Sequence, residues 1–499
     1  MREKTAVSVN AFYNALKTFI GVIVPFVTYT YIARVLGTDN LGKINFSSSI
    51  LSYFQLLATL GITNYAISEG AKIRDDKEKF SKFVAEIFII NLLSTVIAYI
   101  FLFFSLIFFP ILRNYAGLIL INSVSMLFVL LGIDWMYGAL EQYRFISIRA
   151  ILLQLISLIL VFAFVHRSDD VKKYMIIYII PTIGTGIINF IYKKKFVRFS
   201  FERLTISDTV KHLKPIIIIW AMSIASVIYI NSDMIMLIII KGDKIGGLYS
   251  VSVKACHVCC LILSAIPTVV MPKLSRLLNN QKKQDFASLV NKTLSTILFF
   301  SIPIFVGLFL MNYETVSIIG GEEYIESQNA ARIISCNILL SPINGLIATQ
   351  IFIPCGKQIV SFYATLVGAI LNIILNFFII SKYSLNGAAF TTIISELFVL
   401  IIFIICIRNT ISIKDSIVNI LQCIISSSFI PIIYYAFSPI IKFNIIIGSI
   451  IVVFLSGIVY LFVQLLLRNT TMLYFLSLCK AKYKKAKEKI ERFIHEDKV

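Results

Sequence analysis

The chain has 499 residues, 58% of them hydrophobic and only 14% charged, with a mean hydropathy of +0.88. Soluble domains carry far more polar surface, so the composition predicts an all-α polytopic membrane protein. A net charge of +20 would suit nucleic acid, but the basic residues lie in short runs between apolar spans, where they set orientation in a bilayer instead.

Residues 10–33 form the first apolar run, long enough at about 1.5 Å per residue to cross a hydrocarbon core of about 30 Å. The opening MREK is basic, but the run that follows is long, carries Lys17 and has no small-residue cleavage site. It reads as a first span rather than a signal peptide. Asn10, Asn14, Lys17, Gly21, Pro25 and Thr28 fall on one helical stripe. Facing lipid, that stripe would be costly, so it is predicted to face protein or a water-filled cavity. The run breaks at Arg34-Val35-Leu36-Gly37. Gly37-x4-Gly42 followed by Ser47 then recurs as Gly242-x4-Gly247 followed by Ser252, which points to two halves of one transporter.

Further polar positions follow in chain order. In the second span Asn45, Ser48, Ser52, Gln55, Thr59 and Thr63 share a face, which fits either interhelical hydrogen bonding or cavity lining. The fourth span ends in residues 131–154, where Trp135 and Tyr137 suit a membrane interface and Glu141, Arg144 and Arg149 a cytoplasmic turn. Asp233 lies in the seventh span, and Ser250, Lys254, His257 and Ser264 line one face of the eighth. Glu396 sits midway along the twelfth. An ionised group at that depth costs about 2.5–3.5 kcal/mol on insertion scales. Lys17 either snorkels to the headgroups or faces the cavity, and Lys254 poses the same choice from the other side. Glu396 is too short to snorkel and is expected to be paired or protonated, facing the cavity. Arg332 is expected to pair locally with Glu322, Glu323 or Glu326. Cys256, Cys259 and Cys260 beside His257 look like metal ligands, but thiolates are unfavourable in lipid and no second ligand cluster exists. They read as packing residues, with no metal, cofactor or disulfide framework expected.

About fourteen spans are predicted, near 10–33, 44–67, 84–109, 116–138, 146–165, 174–192, 215–240, 248–271, 289–311, 327–353, 359–380, 386–407, 416–437 and 443–467. Alternating them puts about 33 basic residues on the side of the N-terminus and about 10 on the other, so both termini are expected in the cytoplasm. Six spans separate Gly37 from Gly242, an even number, so the halves enter the membrane in the same sense. That predicts two six-helix lobes in a parallel pseudo-twofold repeat, residues 1–192 and 215–407, with a cavity between them. A basic linker, 193–214, joins the lobes. Two additional helices, 408–467, and a basic amphipathic tail, 468–499, suited to anionic headgroups, complete the chain.

The run Asp134-Trp135 … Gly138-Ala139-Leu140-Glu141 … Ile148-Arg149 resembles the signature of bacterial polysaccharide flippases, in the multidrug/oligosaccharidyl-lipid/polysaccharide exporter superfamily. Ala33-Arg34-Val35-Leu36-Gly37, Gly368 to Asn376, and Asn386-Gly387-Ala388-Ala389 to Glu396 agree with it, so the resemblance covers nearly the whole chain. It implies a fourteen-helix, two-lobed exporter in the bacterial inner membrane. Its cargo would be an oligosaccharide repeat unit on polyprenyl pyrophosphate for O-antigen, capsule or exopolysaccharide synthesis. A polysaccharide polymerase and a chain-length regulator are the protein partners this implies. Under that reading Lys17 and Lys254 offset pyrophosphate charge, while Asn14, Ser48, Ser52, Gln55 and His257 meet the sugar; Asp233 and Glu396 couple or pair charge. The family pattern has an uncharged polar residue at Lys17, so this cation reads as particular to the cargo. Two alternatives compete: a cation-coupled multidrug exporter of the same superfamily, and a membrane polysaccharide polymerase or ligase. The second would need outward loops with catalytic groups. Here those loops are short, none of His166, His212, His257 and His495 sits with a nucleophile, the cysteines around His257 reading as packing residues, and no nucleotide loop is present, so no enzyme is expected.

Overall fold

The computed structural model describes residues 2–197, 206–408, 414–477 and 480. The expected amphipathic helix beyond Lys480 and the middle of the basic linker lie outside the described residues, as does the side chain of Asn14. Among the described residues the structure is helical without strands. In chain order the helices are α1 (Arg2–Thr59), α2 (Ile62–Ile73), α3 (Lys77–Phe108), α4 (Pro110–Arg113), α5 (Ala116–Gly132), α6 (Asp134–Ala139), α7 (Tyr143–Phe164), α8 (Val171–Tyr192), α9 (Ile206–Val210) and α10 (Leu213–Lys241). They continue with α11 (Asp243–Asn279), α12 (Lys283–Leu310), α13 (Asn312–Gly320), α14 (Gln328–Ile334), α15 (Asn337–Gly345), α16 (Gln358–Ile407), α17 (Lys414–Ser427), α18 (Phe429–Ala436), α19 (Ser438–Phe443) and α20 (Ile445–Leu466). Among the described residues, eleven helices are long and apolar enough to cross a membrane. The bent pair Glu322–Ile334 and Asn337–Ile351 raises that to twelve. The protein is a multi-pass membrane protein.

Lipid as solvent explains the side-chain distribution. Large apolar residues such as Phe101, Phe104, Phe108, Ile159, Ile191 and Phe454 are exposed, as hydrocarbon-facing positions require. Asp76 caps α3 by accepting from the Lys79 N–H. That bond and the Lys79 ammonium hold its carboxyl below the usual range.

The fold groups into two compact units. The first comprises Met1–Val251, Ile319–Ser327 and Thr365–Thr391, and the second Ser252–Ile318, Gln328–Ala364 and Thr392–Val499. In the first, α5 packs on α8, and α1 on α3, α7 and α10. One of its cores joins Phe80, Phe83, Val84 and Ile87 of α3 to Trp135, Met136 and Tyr137 of α6. In the second, α12 packs on α15 and α17; Phe286 and Val290 of α12 share a core with Phe352 and Phe403, and Phe299 of α12 shares another with Cys423 of α17.

Two helices are continuous in name only. At 58 residues α1 would be about 87 Å long, and it breaks at Gly37, with φ 78° and ψ 173°. The 50-residue α16 breaks at Ser384. The break in α1 orphans a carbonyl on one arm and an N–H on the other, and a distant segment satisfies both. Tyr324, fully buried, donates its hydroxyl to the Ala33 carbonyl at 3.0 Å. Glu323 accepts from the Thr38 N–H at 3.2 Å and from the Thr38 hydroxyl at 2.7 Å. Glu323 is thus engaged with Thr38, while the Arg332 guanidinium lies 5.6 Å from the centre of the Phe309 ring. The local ion pair expected for Arg332 is not among the described ones.

Candidate functional site

The site-bearing part of the first unit is built on crossed glycines. The break at Gly242 has φ 90° and ψ 172°, nearly the geometry of Gly37. A Cβ on Gly42 would lie 2.0 Å from the carbonyl oxygen of Asp243, the residue after Gly242. One on Gly247 would lie 1.9 Å from the carbonyl oxygen of Thr38, the residue after Gly37. Only hydrogen fits at either crossing, and small residues of this kind let membrane helices approach backbone to backbone.

Above this crossing runs the polar stripe. Lys17 is half-buried and takes part in no ion pair among the described residues. Pro25 removes the N–H that would bond the Gly21 carbonyl, and the Gly21 face looks toward Gln154 of α7. The hydroxyls along the stripe turn back onto their own helix: Thr28 to Val24, Ser52 to Ser49 and Thr59 to Gln55. Ser48 accepts from Asn122 at 3.4 Å, and Gln55 is half-buried. A hydroxyl whose hydrogen is committed to a carbonyl still offers lone pairs, so the half-buried stripe is an acceptor surface for hydroxyl and ammonium donors.

Deeper in the same unit Asp233 is buried in a polar network. It accepts from Tyr249 at 3.1 Å and from Asn376 at 2.6 Å; Asn372 accepts from Ser232 at 2.7 Å and from Asn376 at 3.0 Å; Thr391 donates to Asn376. α10, α11 and α16 each contribute, so the carboxylate is solvated by protein rather than water.

The Asp134–Arg149 motif forms a second buried network. α5 ends at Ile133 in the left-handed region, with φ 42°, and turns directly into α6. Arg149 of α7, buried, reaches back to Asp134 at 2.7 Å and to the Asn189 side chain, and lies over the Phe145 ring. Asn189 of α8 donates to the Gly132 carbonyl at 2.7 Å and to Asp134 at 3.1 Å, while the Tyr137 hydroxyl donates to the Asn189 carbonyl at 2.6 Å. Trp135 and Tyr137 are therefore core residues, 5% and 0% exposed, and not interfacial anchors. Gly138 is in contact with Ile67, and Glu141 pairs with Arg74 at 2.7 Å, tying α6 to α2. Arg34 is exposed beside Gly321.

The sequence matches the family described as polysaccharide biosynthesis protein over residues 7–278, the stretch that holds the stripe, the glycine crossing and the Arg149 network. The chain belongs to the polysaccharide biosynthesis protein family. The capsular polysaccharide biosynthesis protein CapF of Staphylococcus aureus is 24% identical to it over 399 residues, spanning 78% of this chain and 96% of CapF. Among solved structures, the lipid II flippase MurJ in an inward closed conformation superposes with a TM-score of 0.68 at 18% identity, covering 91% of this chain and 99% of MurJ. An inward-facing multidrug resistance MATE family transporter gives 0.60 at 13% identity, covering 78% and 94%. At these identities the structures share the fold.

In the second unit of this polysaccharide biosynthesis protein, Lys254 is half-buried and His257 exposed on α11. Cys256 donates to the Ile334 carbonyl at 3.2 Å, and its sulfur is 4.0 Å from that of Cys260. Among the described residues no group of three or more His, Cys, Asp and Glu could hold a metal ion. Glu396 is buried, and Asn344 of α15 donates to both its carboxylate and its backbone carbonyl.

Sequence reasoning missed one cluster. Glu86 of α3 and His212, just before α10, are both buried and joined at 2.9 Å, and Tyr65 of α2 completes the chain at 2.6 Å from the His212 Nδ1. No local motif connects residues so far apart in sequence. A Glu inside an apolar helix was the one available signal.

Proposed function

We propose that this protein flips lipid-linked oligosaccharides across the cytoplasmic membrane by alternating access. The observation that carries the reading is the alignment with CapF along 96% of its length, on a fold shared with a lipid II flippase. The cargo head is a sugar repeat unit on polyprenyl pyrophosphate. Lys17, a half-buried cation, offsets the pyrophosphate charge more effectively than an exposed lysine because the surrounding dielectric is low. The half-buried hydroxyls and amides of Ser48, Ser52 and Gln55 accept from sugar hydroxyls, and Asn14, whose side chain lies outside the described residues, is assigned to the same cargo from its sequence position. Lys254 and His257 are a second set of polar groups for the same cargo. The chain works as a transporter rather than a catalyst, and hands its product to a polymerase and chain-length regulator.

Division of α1 at Gly37 and of α16 at Ser384 turns the twelve candidate spans into fourteen, which supports two six-helix lobes followed by two additional helices. The matching backbone at Gly37 and Gly242, with its reciprocal contacts, supports a parallel repeat. Both termini then face the cytoplasm. Reporter fusions after Val499 and between residues 312 and 326 are expected to give opposite signals, and equal signals would overturn the fourteen-span arrangement.

A second reading, a cation-coupled multidrug exporter, draws on the MATE likeness and on the buried Asp233 carboxylate, held by the Tyr249 hydroxyl and the Asn376 amide. In the flippase the same carboxylate, and Glu396, serve coupling. Complementation separates the two readings. Expression in flippase-deficient strains that make different repeat units is expected to restore surface polysaccharide in at least one. Rescue of none at normal protein level would overturn the flippase reading. In a rescued strain Lys17→Arg is expected to keep much of the export, while Lys17→Gln and Lys17→Leu lose it. Full export by both of those variants would make Lys17 a membrane anchor.

A further inference from the structure

The Glu86–His212–Tyr65 chain takes no part in the cargo site described above. Glu86 is 2% exposed and His212 6%. The imidazole is held at both nitrogens, Nε2 to Glu86 at 2.9 Å and Nδ1 to Tyr65 at 2.6 Å, and it packs edge-on against Phe83. Charged groups reach the same place from every side. Lys82 of α3 lies 3.9 Å from one Glu86 oxygen, and Lys211, between α9 and α10, lies 3.9 Å from the other. Asp208 of α9 draws both lysines, at 2.5 Å and 3.6 Å. Glu69 of α2 acts on Tyr65 through its charge.

We propose that Glu86, His212 and Tyr65 form a proton-binding latch that ties the start of α10 to α3 and α2. With the imidazole neutral, Tyr65 donates to Nδ1 and Nε2–H donates to Glu86. Uptake of one proton from water places hydrogens on both ring nitrogens. Nδ1–H then donates to the Tyr65 oxygen, and the Nε2 bond becomes an ion pair with Glu86. Glu86 favours the imidazolium, whereas Lys82 and Lys211 oppose it. Protonation therefore strengthens the latch, and loss of the proton relaxes it to a neutral hydrogen bond, as long as Glu86 stays ionised. Because α10 opens the half of the chain that begins after the basic linker, the proton acts on the joint between the halves. This inference does not depend on which cargo is carried.

The chain has two tryptophans, and one of them, Trp135, packs edge-on against the same Phe83 ring that touches His212. The full-length protein carrying Trp220→Phe therefore reports on the latch through Trp135 fluorescence in detergent. Titration from pH 5 to 9 is expected to show one transition, which His212→Gln abolishes. Glu86→Gln is expected to lower its midpoint, since the opposite charge that favours the imidazolium is lost. Lys82 and Lys211 are exposed, so Lys82→Met with Lys211→Met preserves folding and is expected to raise the midpoint, giving a second readout should Glu86→Gln fail to fold. A flat titration in the parent, a transition that survives His212→Gln, or a midpoint unmoved by the lysine pair would overturn the latch.

Discussion

Asp134→Ala is expected to destabilise this protein more than Arg149→Met, although the two residues are partners in one ion pair. The reason is their unequal burial. The Arg149 side chain is 4% exposed and that of Asp134 53%. Removing Arg149 leaves a carboxylate that water still reaches, at a cost near the low end of the roughly 3–5 kcal/mol typical for breaking a buried pair. Removing Asp134 leaves a guanidinium buried with only Asn189 and the Phe145 ring, so its cost belongs at the upper end. The double variant is expected to cost clearly less than the sum, because the second change removes the charge stranded by the first. Thermal unfolding of the four proteins in one detergent checks this. Equal single costs that add would show that the pair is not coupled. Arg149→Lys is expected to fall in between, since an ammonium cannot reproduce the guanidinium fork toward both Asp134 and Asn189.

Gly42→Ala and Gly247→Ala are each expected to lower the yield of monodisperse protein severely. Overpacking ordinarily costs about 1–3 kcal/mol. Here the clash is with a backbone carbonyl at 2.0 and 1.9 Å, and no side chain can rotate out of the way. The helices must part, so each change should cost about 3 kcal/mol or more. Gly307→Ala and Gly457→Ala are the controls. Both glycines are helical with open space where a Cβ would go, and alanine there is expected to be neutral or to stabilise by up to about 1 kcal/mol. Fluorescence-detected size exclusion distinguishes the groups, and normal yield from Gly42→Ala would mean that the crossing is looser than described.

Much of this architecture was legible in the sequence because lipid imposes a simple rule: spans are long and apolar, and their ends are marked by charge. The breaks at Gly37 and Gly242 were visible as a repeated spacing. The exclusion of Cβ atoms at Gly42 and Gly247 was not, since it depends on what crosses there. Trp135 and Tyr137 were misread as interfacial because hydropathy treats each residue alone. Their burial follows from Asn189 and Phe83, which lie far away in the chain. The sequence sets Thr28 on a polar stripe of the first span and Ser52 and Thr59 on a polar face of the second, but their hydroxyls bond back to their own helices, a choice that spacing does not encode. Glu86 and His212 were invisible as a pair for the same reason as Tyr324 and Ala33. Tertiary packing selects such partners, and periodicity describes only one helix at a time.

The glycine crossing has a consequence for ancestry. Gly42 meets the residue after Gly242, and Gly247 meets the residue after Gly37, so each junction presents a notch and a ridge to the other. A contact of that form is self-complementary, as in a symmetric dimer. Two identical half-length polypeptides could have made it before any covalent link existed, with the same glycine serving both sides. Any larger residue at either glycine would strike the backbone of the other junction, so the two positions are constrained together.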